Sequence, residues 1–143
     1  MAALLRQAQR DDVAAIQRVR HAVRENILTS SAITDAEVVE HLEALGRGWV
    51  IEVDGEIRAF AIGNARNGNV WALFVEHGHE GCGHGRRLHD TMLAWLWSQG
   101  LQRLWLTTGP DTRAERFYRA AGWQDMGLTN RGEIRFEIGR PPG

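Results

Sequence analysis

The sequence predicts a mixed α/β fold, a largely antiparallel sheet with helices on both of its faces. Three observations carry this. Three strand-like runs, WVIEV, IRAFAIG and NVWALFV, succeed one another mid-chain with only Asp54-Gly55 and Asn67-Gly68 as punctuation. Such residue pairs close antiparallel hairpins. Helical periodicity precedes this meander, and alternating strand and helix patterns follow it, the order expected when helices cover both faces.

Taken in order, LLRQAQ alternates weakly and reads as an edge strand. Asp11 stands where a helix N-cap belongs, before Val13, Ile16, Val19 and Val23 at helical spacing. Thr34 and Glu37 form a capping-box pair ahead of Val38, Leu42 and Leu45, and Gly46 closes that second helix. Between the two lies ENILTSSAIT, polar and irregular, which reads as a loop. After the meander and a glycine-rich run, RRLHDTMLAWLWSQG sets Leu88, Met92, Trp95 and Leu96 on one helical face, with Gly100 as its stop. Trp97 cannot share that face with Trp95, so one of the two is expected at the surface, where a second copy of the chain would find it. LQRLWLT is a further strand, RAERFYRAAGW a short helix ended by Gly122, and GEIRFEI a last strand.

A chain of 143 residues with 43% apolar and 24% charged residues reads as one globular domain over residues 1–143. A net charge of −1 supplies no electrostatic footprint for nucleic acid or an anionic membrane. No apolar run approaches the roughly 20 residues that span a bilayer, and MAALLRQAQRDD is charged too early for a signal peptide. Cys82 is the only cysteine, which excludes an intrachain disulfide and suits a reducing, cytoplasmic compartment.

The run EHGHEGCGHGRRLHD, residues 76–90, holds the chemistry. His77, His79, Cys82 and His84 are zinc-ligand types. They crowd one glycine-rich stretch with no second element to close a site, so no metal is expected. Gly81, Gly83 and Gly85 instead lie between a strand ending at Val75 and a helix beginning near Arg86. Glycines there let an anion approach main-chain N–H groups at a helix N-terminus, which is how a diphosphate is cradled. Arg86 and Arg87 add positive charge just beyond. The dinucleotide fingerprint fails because Arg86 stands where its third glycine belongs, and the NTP-binding loop fails for want of its lysine.

Two segments together resemble the GCN5-related N-acetyltransferase (GNAT) family. Its Q/R-x-x-G-x-G/A motif reads here as Glu80-Gly81-Cys82-Gly83-His84-Gly85, with Glu80 in the Gln/Arg place and His77 in that of an earlier proline. Its N-x-x-A-x-x-[FL]-Y-x-x-x-G-[FW] motif reads as Asp111 to Trp123, with Ala114, Phe117, Tyr118 and Gly122 in place and Asp111 for the Asn. The resemblance implies an acetyl-CoA-dependent N-acetyltransferase. It implies that Phe74 and Val75 line the pantetheine arm in a bulged, splayed strand, and that the Val75 N–H polarises the thioester carbonyl. The amides of Gly81, Cys82, Gly83, His84, Gly85 and Arg86 would hold the diphosphate, and Tyr118 would protonate the leaving thiolate. A carboxylate at Glu80 repels a diphosphate unless it turns away or pairs with an arginine. Candidates for the base are Glu52, Glu76, His77 and His79, or solvent, while Arg113 and Arg116 are candidate phosphate contacts. The acceptor is expected to be a primary amine of a small molecule. The alternatives are a protein N-terminus or lysine, or a non-catalytic acyl-CoA-binding module. Many members of the family are homodimers, an expectation that extends to this chain.

Overall fold

The computed structural model describes residues 3–22 and 33–142. Val23 and residues 25–32 of the expected loop lie outside them. The chain runs β1 (Ala3–Gln7), a 3₁₀ turn (Arg10–Asp12), α1 (Val13–Ala22), α2 (Asp35–Glu40), a π turn (His41–Leu45), β2 (Gly46–Val53), β3 (Glu56–Asn64) and β4 (Val70–Val75). It continues with α3 (His84–Ser98), β5 (Arg103–Thr108), α4 (Arg113–Ala120), β6 (Gln124–Leu128) and β7 (Ile134–Gly139).

The meander forms as expected. β1 to β4 pair antiparallel in chain order, and β5, β7 and β6 make a second antiparallel sheet in that spatial order. Asp54 and Gly55, both at positive φ, make the turn between β2 and β3. Strand alternation then sorts side chains by face. Ile51, Ala61, Leu88, Met92 and Leu96 share one buried cluster under α3 and α4. Ile16, Val19, Val38, Val50 and Phe60 share another under α1 and α2. Leu88, Met92 and Leu96 are fully buried, and each such side chain contributes roughly 1.5–3 kcal/mol by leaving water.

Several expectations need correction. Asp11 is not the N-cap: the chain enters the first helical turn from Gln9, whose N–H donates to the Asp12 carboxylate at 2.8 Å. The Thr34–Glu37 capping box is present, but the second helix widens into a π turn before its end. Gly46 ends that turn through its N–H to the His41 carbonyl, and at once opens β2. It lies so close to β3 that a Cβ there would strike the Gly63 carbonyl. Strand β6 was not anticipated. Neither Trp95 nor Trp97 stands clear of the protein, since both are half-buried against the α3 cluster. Trp95 meets the Trp49 ring edge-on at 5.8 Å, beneath the Arg47 guanidinium. Among the described residues, no helix is long and apolar enough to cross a membrane.

The feature that makes a site is the junction of the two sheets. β4 and β5 run side by side but touch through one parallel bridge, Asn69 to Trp105. Trp105 N–H donates to the Gly68 carbonyl at 3.0 Å and its indole N–H to the Asn67 carbonyl at 3.0 Å. Beyond that clasp the strands share no ladder, so the sheet opens towards the C-terminal ends of both.

Candidate active site

β4 is bulged. Ile62 faces Ala72 and Gly63 faces Val70, which leaves Trp71 as the extra residue. A bulge increases local twist and bends the strand, here away from β5. At the other end of β4, the Glu76 N–H donates inward to the Arg58 carbonyl at 2.8 Å. Because strand N–H groups alternate in direction, that of Val75 faces outward, into the opening.

The loop after β4 ends at Gly83, in the left-handed region at φ 85°, where α3 starts. Arg87 makes the first helical hydrogen bond of α3, its N–H donating to the Gly83 carbonyl at 3.0 Å. Geometry therefore leaves the N–H groups of Gly83, His84, Gly85 and Arg86 without helical acceptors, and Gly83 has no side chain to cap them. Unpaired amides at the positive end of a 15-residue helix suit an anion. The residues present thus fit the diphosphate of an acyl-CoA. Gly85 also sits against the opening. A Cβ placed on it would lie 3.6 Å from the Phe117 ring and 3.7 Å from Val75, so β4, α3 and α4 converge there.

Glu80 turns its carboxylate back on its own loop. It accepts the Gly78 N–H at 2.7 Å and lies 3.4 Å from His77 and 4.0 Å from the Arg113 guanidinium. The Gly78 amide, assisted by Arg113 and His77, holds it below the usual carboxylate range. Cys82 is exposed, and among the described residues no three His, Cys, Asp or Glu side chains are grouped to hold a metal ion. His84 is buried and its Nδ1 has no partner among the described residues.

α4 is capped by Thr112, whose hydroxyl accepts the Glu115 N–H at 3.1 Å. Asp111 before it adopts positive φ, 60°, a conformation open to Asn and Asp. The Asn-to-Asp change therefore keeps the turn. Ala114 and Phe117 are half-buried on the inner face of α4, while Arg113 and Arg116 are exposed. Tyr118 is 5% exposed and packs among Phe117, Trp123 and Phe136. Burial raises its phenol well above its ordinary value, so the hydroxyl keeps its proton.

The candidate bases are dispersed. Glu52, two strands from β4, is bound by Arg6 Nε at 2.5 Å, and Arg6 also grips Asp12. Glu76 is clamped by Arg18 at 2.7 Å and Arg58 at 2.8 Å. Burial works to raise its carboxyl, but the two guanidiniums outweigh that and hold it low. Both carboxylates are thus committed to ion pairs. His77 is exposed and His79 half-buried, both in the loop.

Two features are built from residues that sequence reasoning did not single out for a site. The first is a cleft of about 210 Å³ on the α1–α2 face of the opening, lined by residues of α1, α2, β3, β4 and β5 together with Glu133. The second is His89, 3% exposed, whose Nε2 accepts the Trp123 indole N–H at 3.0 Å while its Nδ1 lies 2.8 Å from Asp90. Asp90 in turn binds Arg86 at 3.0 Å.

An antiparallel meander bulged at its last strand, split from a second sheet and followed by an amide-rich helix start, has the architecture of an acetyltransferase. The chain belongs to the acetyltransferase (GNAT) family, whose sequence profile matches residues 6–123. Solved structures agree on the fold. The ribosomal-protein-S18-alanine N-acetyltransferase of Escherichia coli is 15% identical, with a TM-score of 0.77 over 96% of this chain and 94% of that one. PaiA N-acetyltransferase of Thermoplasma acidophilum, in complex with coenzyme A, is 11% identical, with a TM-score of 0.81 over 98% and 100%. YncA of Salmonella typhimurium, with acetyl-CoA, is 16% identical, with a TM-score of 0.77 over 100% and 96%. No curated protein sequence matches the chain significantly.

Proposed function

We propose that the protein transfers an acetyl group from acetyl-CoA to the primary amine of a small molecule. The observation that carries this is the opening between β4 and β5, with unpaired amides at Gly83–Arg86 on one side and the cleft on the other. Bound acetyl-CoA supplies an activated thioester. Gly83, His84, Gly85 and Arg86 donate main-chain N–H groups to its diphosphate, with Gly81 and Cys82 completing the loop around it. Phe74 and Val75 flank the arm that enters the opening, and the outward Val75 N–H donates to the carbonyl oxygen as negative charge develops there. Tyr118 holds its phenolic proton ready for the departing sulfur.

Crystal structures of PaiA with coenzyme A and of YncA with acetyl-CoA support the choice of donor. The acceptor reading rests on the modest volume of the cleft, below the roughly 300–1,000 Å³ of pockets that enclose drug-sized ligands. The test is an acceptor screen by coenzyme A release, with coenzyme binding measured alongside. Turnover on small amines supports the proposal. Binding without turnover on any acceptor would make the protein an acyl-CoA-binding module instead, and turnover confined to peptides would make it a protein acetyltransferase, as the Escherichia coli relative is by name.

A further inference from the structure

The walls of the cleft are specific enough to name an acceptor class, an inference that rests on the acetyl-transfer reading. Most of the lining is apolar, and Trp71, Phe74 and Phe60 form an aromatic wall. Trp71 is the bulged residue of β4, so its indole is thrown out of the ladder onto this face. His41 stacks on it with ring centres 3.6 Å apart and planes 7° from parallel, and His41 is anchored through Nδ1 to the Glu37 carbonyl at 3.0 Å. The indole is thereby held as a fixed plate. Phe60 and Phe74 lie tilted beside one another at 5.4 Å.

Two charged residues interrupt this lining. Glu133, half-buried, immediately precedes β7 at the edge of the opening, because Thr108 at the end of β5 pairs with Ile134. Among the described residues no cation or donor reaches its carboxylate. A half-buried carboxylate beside apolar walls is costly until a cation meets it. Arg20, on α1, is the other charged residue of the lining.

We infer that the acceptor is a monoamine with an aromatic or bulky apolar body, which packs on Trp71 and Phe74 while Glu133 receives its ammonium end, the nitrogen giving up a proton to solvent before it attacks the thioester. Polyamines and extended cationic peptides are selected against by the size of the cleft, about 210 Å³.

The experiment compares kcat/KM for phenethylamine, spermidine and a short lysine-containing peptide, using the full chain and saturating acetyl-CoA. Phenethylamine should lead by about tenfold or more, the discrimination that one well-placed apolar group provides. In Trp71→Ala, KM for phenethylamine should rise about tenfold, the scale of a lost aromatic contact, and Trp71→Phe should recover most of it. Glu133→Gln should raise the same KM, most at low salt, while Glu133→Asp restores part of the loss. Coenzyme A affinity, measured by calorimetry on each variant, shows whether the variant is folded. A lead for spermidine or the peptide, or an unchanged KM in both Trp71→Ala and Glu133→Gln, overturns this inference and leaves acetyl transfer standing. Coenzyme binding with no amine consumed overturns both.

Discussion

In the proposed reaction Tyr118 is the residue that protonates the departing sulfur. Its ring is buried among Phe117, Trp123 and Phe136, and that burial raises the phenol by disfavouring the phenolate. Removing only the hydroxyl, in Tyr118→Phe, should leave packing and coenzyme affinity nearly intact and reduce kcat by about a hundredfold, the low end for general acid catalysis. Unchanged turnover would remove Tyr118 from the mechanism. His89 is the second informative residue. Burial lowers its imidazole below the ordinary value, against the opposing pull of Asp90. The folded state therefore resists protonating it, and the unfolded chain takes up the extra proton. Its stabilising contribution is present above the unfolded value, about 6.5, and fades as pH falls below that. His84, lowered chiefly by burial, acts in the same sense. Urea midpoints should thus drop between about pH 7 and pH 5, and His89→Gln should flatten that slope. A wild-type midpoint constant across this window would contradict the reading.

At the scale of elements, the loop between β4 and α3 depends on backbone shape more than on side chains. Gly83 is left-handed with open space around it, so Gly83→Ala meets no neighbour and suffers only its own φ. It should cost about 1 kcal/mol of stability, while weakening coenzyme A binding by more than that global loss explains, because the first amides of α3 are re-aimed. Chemical denaturation and calorimetry on the same sample separate the two effects. Equal, small changes in both would mean that the loop does not hold the diphosphate.

The elements that the sequence foretold are those with a strong one-sided pattern: the meander, α3, α4 and the Thr34–Glu37 cap. β6 escaped because all five of its residues are exposed, leaving no buried face to alternate, and Gly127 breaks it at positive φ. The π turn at His41–Leu45 changes hydrogen-bond register without changing the apolar spacing of Leu42 and Leu45. The bulge at Trp71 and the parting of β4 from β5 are matters of pairing, which composition and period do not encode. The loop between β4 and α3, by contrast, was legible from its glycines. The lining of the cleft was not, since Ile16, Phe60, Trp71 and Glu133 are distant in sequence and meet only in the fold.

For the molecule as a whole, two apolar clusters lie on opposite faces of the strands, and the proposal brings one ligand to each face. In the proposed reaction the coenzyme takes the α3–α4 side and the acceptor the cleft on the α1–α2 side, meeting where β4 and β5 part. Ligand binding to the native state alone must then raise its stability, by roughly 2.7 kcal/mol at a hundred times the dissociation constant. The most direct measurement is a calorimetric titration of the purified protein with coenzyme A, paired with its thermal unfolding. The account predicts saturable heat at about one site per chain and a melting temperature that climbs with coenzyme concentration. No heat and an unmoved transition at millimolar coenzyme would contradict it.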